Sequence, residues 1–112
     1  MKQYNFTRQG GHGSKSSVKG IILQPQIWAA YKVDQKRMST GCGWCLLHIP
    51  SKLSAGEYKT LELCREYVKR CQSQFNNSLL DNPSLGKDYK TTSALKELRN
   101  SVILDDQKAS AL

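Results

Sequence analysis

The sequence predicts an α+β domain: a small antiparallel sheet of two or three strands packed by a long helix, then a short C-terminal helix. Three observations carry this. Apolar and polar side chains alternate over residues 27–33 and again over 43–49, the period of strands. An apolar stripe then recurs at spacings of three and four from Leu61 to Phe75, the period of a helix. Before both lies a stretch rich in Gly and Ser, Gln9 to Gly20, with a single apolar side chain.

That first stretch returns too few contacts to offset the entropy of ordering it, so residues 1–19 read as a flexible basic arm. From Gly20 the chain turns apolar, with Ile21-Ile22-Leu23, until Pro25 marks a turn or an edge position. Residues 27–33 place Ile27, Ala29, Tyr31 and Val33 on one face and Trp28, Ala30 and Lys32 on the other. Asp34-Gln35-Lys36-Arg37 is polar enough for a turn. The next run places Cys45, Leu47 and Ile49 opposite Trp44, Leu46 and His48, and Pro50 ends it.

Ser54-Ala55-Gly56-Glu57 fits a capping box for the long helix, whose stripe is Leu61, Cys64, Val68, Cys71 and Phe75. Glu66 and Arg70 add an i,i+4 pair off that stripe. The helix is expected to end near Asn76-Asn77. After a loop at 82–86, Ser93 can cap a short helix carrying Leu95, Leu98 and Val102. The expected organisation is thus an arm over 1–19, one globular domain over 20–104 and a frayed tail over 105–112. In element order, residues 20–75 are similar to small DNA-binding domains such as the arm-binding domains of phage integrases, which have a three-stranded sheet followed by a helix.

At 112 residues and 12.6 kDa, with 38% apolar and 23% charged residues and a mean hydropathy of -0.56, the composition is that of one soluble domain. No apolar run reaches the ~18 residues of a membrane span, and the N-terminus lacks the apolar core of a secretory signal. A cytoplasmic location without membrane partners is expected.

Charge is more telling. Seventeen Lys and Arg against nine Asp and Glu give +8 and a pI near 9.5. Residues 1–53 hold eight of the basic groups and one acid, Asp34, for +7, whereas 54–112 hold nine basic and eight acidic groups, for +1. Solubility gives no reason to gather the charge in one half, and a polyanion partner does.

Cys42-Gly43-Trp44-Cys45 has the spacing of a zinc knuckle, and His48 with a helix Cys could complete a site. Cys64 and Cys71 cannot share a metal, because seven helical residues separate them by ~10.5 Å of rise. Structural cysteines in a reducing compartment are the expectation, with no metal and no cofactor. Residues 10–16 are superficially similar to a phosphate-binding loop, but Ser14 stands where Gly should precede the lysine and no strand leads in. No nucleophile, base and acid assemble around His12 or His48, so an enzyme is not expected.

Trp28, Lys32, Lys36, Arg37 and Trp44 form the constellation that suggests a contact. If the face bearing Trp28 is open to solvent, its aromatics and cations suit nucleic acid, with Arg8, Lys15 and Lys19 of the arm tracking phosphates. If the long helix covers that face, both tryptophans are core. The expected function is a small non-enzymatic nucleic-acid-binding protein, DNA favoured over RNA and regulatory in role; the alternative is an interaction module or inhibitor docking an acidic protein surface.

Overall fold

The computed structural model describes residues 2–9, 15–33 and 43–110. The architecture is α+β, but the sheet has five strands instead of two or three. β1 (Tyr4–Gln9), β2 (Lys15–Gln24), β3 (Trp28–Lys32), β4 (Trp44–His48) and β5 (Leu53–Tyr58) pair in chain order, each antiparallel to the last. α1 (Leu61–Gln74), α2 (Asn77–Leu80), a 3-10 turn (Leu85–Lys87) and α3 (Tyr89–Ser110) follow.

The two additional strands come from segments whose local pattern misleads. Residues 4–9 and 15–19, expected as a flexible arm, are the first hairpin, with Phe6 opposite Val18 and Thr7 opposite Ser17. Their alternation is genuine, but only Phe6 and Val18 mark its buried side. Ser54 to Glu57, expected as a capping box, lie in β5; Ser54 Oγ is 3.0 Å from Cys45 Sγ. The helix starts later, at Thr60, whose Oγ1 accepts from Leu63 N–H at 3.3 Å.

The sheet curls until its ends meet: Gln9 N–H donates to Lys52 O at 2.7 Å, joining the end of β1 to the start of β5. Two glycines permit close contacts here. A Cβ on Gly20 would stand 2.6 Å from Ala30 O, and Gly56, at φ 122°, occupies an extra residue in β5 where a Cβ would stand 2.5 Å from Arg99 Nε. Curling encloses the inner face, where Ala29, Tyr31, Cys45 and Leu47 are buried with Phe6, Val18, Val33 and Ile49 packed on them.

The outer face carries the larger core. Ile21, Trp28, Ala30 and Leu46 meet Leu61, Cys64, Tyr67, Val68 and Cys71 of α1, Leu80 of α2, and Leu98 and Val102 of α3. The expectation of one long covering helix is therefore corrected: several helices share the cover, and the C-terminal helix is the longest, at 22 residues. Asp88 caps it in place of Ser93, accepting from Lys90 N–H at 3.2 Å and from the Thr91 hydroxyl at 2.6 Å. Residues 105–110, expected as a frayed tail, continue it. Arg70 of α1, bonded to Glu66 at 3.0 Å, reaches α3 at Ser101 Oγ (3.0 Å) and at Asp105 (2.8 Å), the first residue of that stretch. No helix among the described residues is long and apolar enough to cross a membrane.

Candidate nucleic-acid interface

The pairing registers define one row across the sheet. Lys32 lies opposite Trp44, and Trp44 opposite Tyr58. On the other side Gly20 lies opposite Tyr31, so the next step of that antiparallel register sets Lys19 opposite Lys32, while Lys19 is itself opposite Asn5. Paired residues share a face, and alternation adds Lys15 and Ser17 of β2 and Thr7 of β1. This is the outer face, beyond the helices: Asn5, Thr7, Lys15, Ser17, Lys19 and Lys32 are all exposed. Trp44 is half-buried at the border, packed on the edge of the outer core.

Three of the expected contact residues, Lys15, Lys19 and Lys32, are thus brought onto one open surface. Two others are not. Trp28 is only 1% exposed; its ring lies 5.0 Å from that of His48 and meets Tyr67 edge-on at 5.7 Å, so it has no face on which a base could stack. Arg8 alternates with Thr7 onto the inner face, half-buried beside Tyr31. Burial holds the Tyr31 phenol well above its ordinary pKa, the Cys45 thiol adds to the rise, and the Arg8 charge opposes it. Lys36 and Arg37 lie outside the described residues.

Asn5, Thr7 and Ser17 were missed as members of this surface. Their signal was the alternation of residues 4–8 and 15–19, which composition masks. Among the described residues the surface has cations, hydroxyls and an amide and no acid, and residues 1–33 contain no Asp or Glu at all.

The zinc constellation is pulled apart by the strand that carries it. Cys45 and His48, three residues apart on β4, project to opposite faces; Cys45 belongs to the inner core and His48 meets α2 on the outer side. Cys42 lies outside the described residues. His48 is fully engaged: Nε2–H donates to Leu80 O at 2.6 Å and Nδ1 accepts from Ser51 Oγ–H at 2.7 Å. A carbonyl only accepts, so the proton sits on Nε2. Burial lowers the pKa of His48, opposed by the bond to Leu80 O, and the ring is neutral at physiological pH.

Comparison of the chain with protein-family models, curated proteins and solved structures finds no match.

Proposed function

We propose that the chain is a small non-enzymatic nucleic-acid-binding protein, DNA favoured, that contacts phosphates through the open part of the sheet's outer face. What supports this reading most is one observation: Lys19 and Lys32, both exposed, are the residues next to the terminal Gly20–Tyr31 pair of adjacent strands, with Lys15 on the same face and no acid in residues 1–33. Like charges directly opposite across a sheet are destabilising, and a bound polyanion relieves the repulsion by exchanging it for released counterions. Asn5, Thr7 and Ser17 add neutral hydrogen-bonding groups between the cations, suited to phosphate oxygens. Trp44, beside Lys32, supplies an aromatic edge at the border of the patch.

The test is a titration of the wild type and the Lys19→Gln/Lys32→Gln variant against one oligonucleotide at several salt concentrations. The log–log salt slope is expected to shrink by up to about two units in the variant, with weaker binding of every sequence. Equal slopes and affinities would remove this face from the contact. Absence of any affinity near physiological salt would favour the alternative, docking on an acidic protein surface.

A further inference from the structure

A cavity of about 270 Å³ lies between the β4–β5 edge of the sheet and the first half of α3, away from the lysine surface. Trp28, Ala55, Tyr67 and Leu95 are among its apolar lining and Lys96 and Arg99 supply its cations; among the described residues no Asp or Glu lines it. A dry cavity of about 150 Å³ already holds benzene, so this one has room for an aromatic ring with a short polar arm.

The polar groups here are donors in want of an acceptor. Trp28 is almost wholly buried and its Nε1–H has no hydrogen-bond partner. An indole N–H enclosed without an acceptor is costly, and such groups in folded proteins are nearly always satisfied. Arg99 repeats the pattern. One terminal nitrogen, Nη2, donates to Glu57 O at 3.1 Å and the guanidinium lies 5.5 Å from the Tyr58 ring, yet buried Nε has no partner. The carboxylate of Asp105 on the same helix is bonded to Arg70, whereas the hydrogen bond of Arg99 goes to a backbone carbonyl. His48 adds nothing, since both its nitrogens are taken.

From this combination we infer that the cavity is a binding site for a small aromatic carboxylate. The ring packs against Ala55 and Leu95 over the buried Trp28 and Tyr67, and the carboxylate supplies an acceptor for the unpartnered Arg99 Nε and a negative charge beside Arg99 and Lys96. The inference is independent of the nucleic-acid reading, because it uses the helix-covered half of the outer face and none of its exposed lysines.

The two tryptophans make the test specific. Phenylacetate is titrated into the full-length ¹⁵N-labelled chain while both indole N–H resonances are followed, Trp28→Phe serving to assign them. Saturable movement of the Trp28 resonance with a stationary Trp44 is expected. Phenylacetamide, which has the same shape and no charge, should bind about tenfold more weakly or worse, as should phenylacetate with Arg99→Gln. Ala55→Leu, which fills the cavity, should abolish binding. Should Arg99→Gln not fold, Lys96→Gln and the amide comparison on the wild type decide the charge requirement. No saturable shift at millimolar phenylacetate, equal affinity for the amide, or undiminished binding by Ala55→Leu would overturn the assignment.

Discussion

The outer face of the sheet is two surfaces built from the same strands. Over Ile21, Trp28, Ala30 and Leu46 it is apolar and roofed by helices; over Lys15, Ser17, Lys19 and Lys32 it is polar and open, and the boundary runs through Trp44. β2 spans both, for Lys19 and Ile21 are successive residues on one side of a single strand. Coverage follows local composition: a helix buries apolar side chains at ~25 cal/mol per Å² of apolar surface, and finds no such return over a row of lysines. The inner face has no such division, because curling buries all of its centre whatever the helices do.

This contrast can be broken at several levels. The largest effect should come from deleting residues 1–19, which removes β1 and half of β2 and takes Phe6 and Val18 off the inner core. Loss of cooperative unfolding, with Cys45 becoming reactive to a thiol reagent, is the expected result; an intact core would mean that the hairpin is dispensable. Trp28→Ala comes next. It should destabilise the protein by about 3–5 kcal/mol in denaturant unfolding, against about 1 kcal/mol for Trp44→Ala at the border. Equal costs would erase the distinction between roofed and open halves.

His48 gives a smaller, pH-dependent probe of the roofed half. Its folded pKa lies below the ordinary 6.5, so between those values the unfolded chain holds the extra proton. The stabilising contribution is complete above pH ~6.5 and is lost as pH falls through that window toward the folded value. A His48→Gln variant should lack this part of the acid dependence in thermal melts at stepped pH. The smallest effect is expected in the open half, where Lys19→Gln/Lys32→Gln should alter stability by no more than about 0.5 kcal/mol or raise it slightly by removing repulsion. A large loss would give these lysines a packing role.

The alternation at residues 28–32 and 44–48 and the stripe from Leu61 to Cys71 were legible in the sequence, because each repeats an apolar period over several residues. The first hairpin was not, since Phe6 and Val18 are its only apolar inward marks amid Gly, Ser and Lys. β5 was ambiguous for a different reason: Ser54 and Glu57 have the spacing of a helix cap, and their role as strand residues depends on pairing with Leu47 and Cys45 of β4, seven and twelve residues away in the chain. Which side of β3 would be roofed was beyond any local pattern. Both faces of that strand are buried, one by helices that follow it and one by curvature of the whole sheet. For the candidate surface, Lys15 and Lys19 were legible from charge and Lys32 from charge and alternation, whereas the helix cover over Trp28 and the inward facing of Arg8 depend on those same long-range features.

The most direct test of the proposed contact is to map an oligonucleotide onto the ¹⁵N-labelled chain by chemical-shift perturbation. The account predicts that shifts concentrate at the backbone amides of 5–7, 15–19 and 32 and at the Trp44 indole, while the Trp28 indole and the amides of α1 stay in place. Perturbations centred on α1 or α3 with residues 15–19 and 32 unmoved would contradict it.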